Sequence, residues 1–185
     1  MTAGPYRLPA ERWAGSGLNR EQRVKFVFDG TSYEGYQGDT LASALLANGV
    51  RTISRSFKFS RPRGVFSSGI EEPNAFVQLG TGASTVSSAR ATLIELKDGL
   101  RACSLVRRHF DLGRVLDFTA PLWAAGFYNR TFIWPSWHSF EWLIRRMAGF
   151  GHVPDEPDPD RYDSRNLHCD VLVIGAGKGG LEAAN

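Results

Sequence analysis

A chain of 185 residues with 42% apolar and 22% charged side chains has the make-up of a globular protein of one or two domains. Its formal charge of +3 permits contact with phosphates without asking for a nucleic-acid partner, and no apolar run reaches the roughly 18 residues of a membrane span. Two distant cysteines, Cys103 and Cys169, argue against a disulfide framework or zinc set; residues 1–22 lack an apolar leader, so a cytoplasmic protein is expected.

Residues 1–22 read as an extended, poorly ordered arm. From Arg23 the pattern sharpens: Val24, Phe26 and Phe28 recur at every second position, as in a half-buried strand. Asp29-Gly30 is a hairpin turn, and Thr31 to Tyr36 is the return strand. Asp39 or Thr40 can then cap a short helix whose Leu41, Ala44, Leu45 and Asn48 share one face, with Asn48-Gly49 as its stop.

Residues 51–66 are basic and aromatic (Arg51, Arg55, Phe57, Lys58, Phe59, Arg61, Arg63, Phe66), and Pro62 and Gly64 break any regular element there. They could form a phosphate or nucleic-acid patch. The favoured reading is a structured loop whose guanidiniums meet carbonyls and the Glu71-Glu72 carboxylates, because the chain as a whole is nearly balanced in charge. That glutamate pair is read as structural, since adjacent loop side chains point apart. Short strands are predicted at about 75–79, 90–96 and 101–107. They are separated by the Gly80-to-Ser88 loop and the Asp98-Gly99 turn. Cys103 on the last of them reads as a buried, inert thiol.

From 108 to 150 the chain is dense in Trp123, Phe127, Tyr128, Phe132, Trp134, Trp137, Phe140 and Trp142, with a helix predicted over Ser136–Phe150. This stretch is either an apolar patch awaiting a partner or an ordinary satellite core. Pro154 to Asp160 is a stiff acidic linker. His109, His138, His152 and His168 show neither metal-ligand nor triad spacing, so neither a metal site nor catalytic residues are expected.

The chain ends on Asp170-Val171-Leu172-Val173-Ile174-Gly175-Ala176-Gly177-Lys178-Gly179-Gly180-Leu181: an apolar strand, a G-x-G-x-x-G turn and a helix start. In a dinucleotide fold, Gly175 makes the turn, Gly177 lets the backbone approach a pyrophosphate, and Gly180 lets helix and strand pack closely. The helix would continue past Asn185, which makes the chain look like the front of a larger oxidoreductase.

The segments F-D-G-x-x-Y-E-G-Y-Q-G-D-T-L-A-S-A-L-L-A-N-G-V and R-S-F-K-F-S-R-P-R-G resemble the ferredoxin-like N-terminal domain of multi-subunit amine and imino-acid oxidoreductases. G-I-E-E-P-N-A-F-V-Q-L, A-G-F-Y-N-R-T-F-I-W-P, E-P-D-P-D-R-Y and C-D-V-L-V-I-G-A-G resemble, more specifically, the alpha subunits of heterotetrameric sarcosine oxidases. Cluster-bearing relatives place C-x4-C-x2-C after R-P-R-G and a fourth Cys after a later R-A. Counted from Arg61-Pro62-Arg63-Gly64, those positions hold Ser67, Glu72 and Ala75, and only Cys103 matches. One thiolate of four cannot hold a [2Fe–2S] cluster. The G-x-E-E-P-N-A segment is shared with the sarcosine oxidase branch. The family usually has Pro and Ala where Lys178 and Gly179 stand.

The resemblance implies an α+β chain in four parts. These are an arm (1–22), a cluster-free β-grasp domain (23–107), an aromatic connector with its acidic linker (108–165), and a truncated Rossmann start (166–185). It implies a parent enzyme that oxidatively demethylates sarcosine to glycine, with electrons passing through flavins to oxygen and tetrahydrofolate accepting the one-carbon unit. FAD would lie in the beta subunit, FMN between alpha and beta, and NAD (or FAD) in the alpha Rossmann domain. Beta, gamma and delta subunits would be the partners, with no nucleic acid or membrane. No cofactor is expected on the 185 residues alone, whose role would be structural. The alternatives are a component of a related amine, proline or opine dehydrogenase, and a stand-alone binding module.

Overall fold

The computed structural model describes residues 4–12, 17–56, 61–105, 126, 134–148, 151 and 153–185. Phe57, Lys58, Phe59, His109, Trp123, Phe127, Tyr128, Phe132 and His152, singled out above, lie outside the described residues.

Strands β1 (Asn19–Phe28) and β2 (Thr31–Gln37) form the expected antiparallel hairpin. Its turn residues Asp29 and Gly30 take φ of 49° and 80°, the paired left-handed conformation that twists with the strands. Val24, Phe26 and Phe28 all turn inward, as their alternation requires.

Helix α1 (Leu41–Ala47) follows. Of the two candidates, Thr40 is the cap: its hydroxyl accepts from the Ser43 N–H, and the Thr40 N–H donates to Ser43 Oγ. At the other end, Gly49 N–H reaches Leu46 O and Val50 N–H reaches Leu45 O, both at 2.9 Å. This double closure needs the left-handed residue that Gly49 supplies at φ 79°. Leu41, Ala44 and Leu45 are buried on the sheet, and the Asn48 amide donates to the carbonyls of Glu34 and Ala44.

Two short strands, β3 (Ser54–Arg55) and β4 (Pro62–Arg63), pair as a separate ribbon. Strands β5 (Phe76–Leu79), β6 (Val86–Arg90) and β7 (Leu100–Ser104) complete a five-stranded sheet of order β2-β1-β7-β5-β6. β7 lies parallel to β1 and antiparallel to β5, the mixed sheet of a β-grasp fold. Phe26, Phe28, Leu41, Leu45, Ile53, Val77 and Leu96 form the core between sheet and helix. Phe28→Ala, at a wholly buried site, is expected to lower stability by about 3–5 kcal/mol, read as an earlier midpoint in urea unfolding.

Four expectations change, the first being the β3–β4 ribbon: residues 51–66, where no regular element is predicted, pair Ser54 with Arg63 and Arg55 with Pro62, Pro62 standing at the start of a two-residue strand. The strand predicted at 90–96 sits instead at Val86–Arg90. Residues 91–96 cross the start of α1, where the carbonyls of Ile94 and Ala91 accept from the N–H groups of Leu41 and Ala42. Those carbonyls serve donors that a helix start leaves without intrahelical partners, so they are not free for a ladder.

The arm is also less loose than predicted. β1 begins at Asn19, and residues 4–12 dock on the domain through Tyr6 N–H to Ala47 O and an ion pair from Arg7 to Asp39. Finally, Val171–Ile174 carry no strand ladder, and Val171, Leu172 and Ile174 are exposed. An apolar strand needs neighbours to take its backbone groups, and no described residue provides them.

Helix α2 (His138–Ala148) lies within the predicted Ser136–Phe150 range, and α3 (Lys178–Ala184) follows the glycine turn. Trp134, Trp137 and Trp142 are exposed. No helix among the described residues is long and apolar enough to cross a membrane.

Candidate functional site

The loop between β4 and β5 is where a ferredoxin-like domain of this register would carry its cluster. Its centre is Glu72, 1% exposed. One carboxylate oxygen, Oε2, accepts from the N–H of Phe66 at 2.7 Å and of Ser67 at 2.6 Å. The other, Oε1, accepts from the N–H of Asn74 at 2.7 Å and of Ala75 at 3.0 Å. Four backbone donors thus converge on one anion, a concave amide nest of the kind that binds anions generally.

The loop is held in that shape from outside. Ser54 Oγ donates to Asn74 O, Thr92 Oγ1 to Gly69 O, and Arg90 Nε to Glu72 O. Beside it, a Cβ on Gly64 would collide with the Arg51 carbonyl, so the chain can pass there only as glycine. Burial alone raises the Glu72 carboxyl, but the bonds from Ser67, Asn74, Phe66 and Ala75 together outweigh it and hold the group below its ordinary value.

Three of the four positions that the resemblance assigns to cluster ligands meet around this carboxylate. Ser67 and Ala75 donate to it through their N–H groups, and Glu72 provides it. The Ser67 hydroxyl is buried without a hydrogen-bond partner among the described residues, and Ala75 offers only a methyl group. Cys103 stands on β7 opposite Gln78, its thiol pushed up by burial and by the nearby Asp29 carboxylate, the reverse of what a thiolate ligand needs. A hydroxyl, a carboxylate, a methyl and one neutral thiol do not fit a [2Fe–2S] cluster.

The sequence presents Glu71 and Glu72 as a structural loop pair whose side chains point apart and meet arginines. The structure separates them: Glu71 is exposed, while Glu72 is buried and bonded to backbone donors. The signal that distinguishes them is register, because Glu72 alone stands at a cysteine position.

A second polar centre escaped the sequence reading. Asp39 is 1% exposed and accepts both Arg7 Nη1 at 3.0 Å and Nη2 at 2.6 Å. It also accepts the Tyr36 N–H and the Ser43 hydroxyl. Arg7 covers the Tyr36 ring at 5.0 Å. The arrangement ties arm, hairpin and helix together and leaves nothing open for a ligand.

The glycine turn keeps some features of its motif. Gly175 has φ 112°, which an L side chain rarely adopts, and a Cβ on Gly180 would collide with the Gly175 carbonyl. Gly177 caps α3 and has open space around its Cα, as does Gly179.

Fold and loop together define a ferredoxin-like domain whose β4–β5 loop closes around a buried carboxylate. In agreement, the family described as "2Fe-2S iron-sulfur cluster binding domain" matches residues 21–105. The chain is 47% identical to "Sarcosine oxidase subunit alpha" of Rhizobium meliloti (strain 1021), over 97% of its own length and 18% of that protein. It is 33% identical to the proteins of the same name from Corynebacterium sp. strains U-96 and P-1, over 97% of its length and 15% and 14% of theirs. The chain is thus similar over nearly its whole length to one segment of these sarcosine oxidase alpha subunits, and spans less than a fifth of them. A solved structure, L-proline dehydrogenase from P.horikoshii, is 30% identical over 46% of this chain and 16% of its own, with a TM-score of 0.36.

Proposed function

We propose that this chain forms the ferredoxin-like part of the alpha subunit of a heterotetrameric sarcosine oxidase, and that its own contribution is structural. Glu72 carries the reading: the domain has the frame of an electron-transfer module, with a ligand position given to a carboxylate saturated by backbone donors. The relatives' designation as alpha subunits supports a place in a multi-subunit assembly, for which beta, gamma and delta subunits are the partners.

In that assembly sarcosine is oxidatively demethylated to glycine and tetrahydrofolate takes the one-carbon unit. Bound FAD and FMN supply the electron acceptance that no side chain can. Gly175, Gly177 and Gly180 belong to a dinucleotide turn that lets the pyrophosphate of NAD (or FAD) approach the backbone once neighbouring strands complete the sheet. The assembly works in the cytoplasm, without nucleic acid or membrane as partner.

The test is made on the whole purified enzyme: flavin, NAD, iron and acid-labile sulfide are assayed beside sarcosine-dependent oxygen uptake. The expected result is bound flavin, uptake with sarcosine, and iron far below one atom per alpha chain. Iron and sulfide in stoichiometric amounts would overturn the structural role, and absence of uptake with sarcosine would overturn the substrate.

A further inference from the structure

We infer that the Glu72 side chain is this domain's resident replacement for an iron–sulfur cluster: an internal anion seated in an amide nest that also accepts a free small carboxylate when Glu72 is shortened. The inference rests on the ferredoxin-like reading of the domain and on none of the sarcosine chemistry.

The loop from Phe66 to Ala75 has a particular electrostatic difficulty. Four backbone N–H groups point into one small space, and backbone donors buried without an acceptor are strongly unfavourable. In a cluster-bearing domain the cluster and its thiolates form an anionic centre whose sulfurs accept hydrogen bonds. With cysteines absent at 67, 72 and 75, such a loop needs another anion or a different shape. Glu72 supplies the anion from within the loop. Its two oxygens divide the four donors, two to each, so the carboxylate bridges the halves of the loop at Phe66-Ser67 and Asn74-Ala75.

Two further observations agree with a former cluster space rather than an ordinary buried carboxylate. Ser67, at the first ligand position of that register, holds a buried hydroxyl with no partner among the described residues, a polar atom that the present occupant does not use. The wider loop is also braced by groups that do not touch the carboxylate: Ser54, Thr92 and the Arg90 guanidinium all donate to loop carbonyls. The nest is therefore shaped by its surroundings as well as by its occupant, which is the condition for a free anion to enter it.

The experiment compares the full chain with Glu72→Gln and Glu72→Ala by thermal unfolding at neutral pH, with formate or its neutral isostere formamide added. Glu72→Gln is expected to lower Tm by roughly 10 °C, since the amide presents a second donor to a nest of donors. Glu72→Ala is expected to lose at least as much and to regain a large part of it with formate but not with formamide. A Glu72→Gln variant within two degrees of the parent, or a Glu72→Ala variant that formate and formamide raise equally, would overturn the inference. Should Glu72→Ala fail to fold, the parent decides alone: its carbon-13-labelled Glu72 carboxyl must stay ionised at a pH where exposed glutamates are already protonated. Ordinary titration there, or uptake of stoichiometric iron by the parent on incubation with ferric iron and sulfide, refutes it. Neither result depends on whether the whole enzyme oxidises sarcosine.

Discussion

Asp39→Ala is expected to destabilise the chain by about 3–5 kcal/mol, because it leaves a buried guanidinium without its carboxylate. The Arg7 side chain is 6% exposed and that of Asp39 wholly buried, so water screens neither charge well. The substitution also removes the acceptor of the Tyr36 N–H and of the Ser43 hydroxyl. Those two bonds fix the end of β2 against the first turn of α1. Asp39→Asn keeps the shape and one acceptor oxygen, so it should lose about half as much.

The pair can be separated from the rest by a double-mutant cycle. Arg7→Ala with Asp39→Ala should be less destabilising than the two single losses added, because both changes remove the same ion pair. Urea unfolding gives these numbers. A second readout follows from the geometry: residues 4–12 reach the domain largely through Tyr6 and Arg7, so limited proteolysis in that stretch should quicken in Asp39→Ala. An Asp39→Ala variant within 1 kcal/mol of the parent, with unchanged cleavage, would show that the network contributes little.

This centre also marks where reading the sequence stops working. Local features were legible because local chemistry decides them. The alternation of Val24, Phe26 and Phe28 yields one buried face, Asp29-Gly30 accepts a left-handed turn, and Thr40 with Gly49 brackets a helix of seven residues. Arg7 and Asp39 are 32 positions apart, and nothing in the composition of a Pro-Arg-Glu-rich arm says which carboxylate it will meet. The misplaced strand at 90–96 has the same origin. Its apolar residues satisfy a strand pattern, yet the carbonyls of Ala91 and Ile94 are taken by the N–H groups at the helix start, a tertiary demand invisible to periodicity. Val171–Ile174 make the complementary point: a strand-like run needs neighbours for its ladder, so the pattern specifies what the segment can join and not what it forms by itself.

Between those extremes lies Glu72, whose importance was half legible. Its place in the cysteine register singles it out by resemblance, and the four donors around it show how the carboxylate is held. Acid should therefore weaken the parent more than Glu72→Gln. The folded carboxyl is held below its ordinary value, with burial opposing and the Ser67, Asn74, Phe66 and Ala75 N–H groups prevailing. The unfolded chain consequently binds a proton at a higher pH than the folded chain does, and stability rises with pH between the two values. The contribution of the charge is complete above the ordinary carboxylate range and is lost as pH falls through the lowered folded value. At neutral pH the parent should exceed Glu72→Gln by about 1.5–3 kcal/mol, the range for hydrogen bonds to a charged group. Below the carboxylate range that gap should narrow, at no more than about 1.4 kcal/mol per pH unit for a single proton. Urea midpoints of both proteins across the acid limb give the difference directly, since the other carboxylates are common to both and cancel. A gap that stays constant from neutral to strongly acidic pH would mean that Glu72 acts by shape and not by charge.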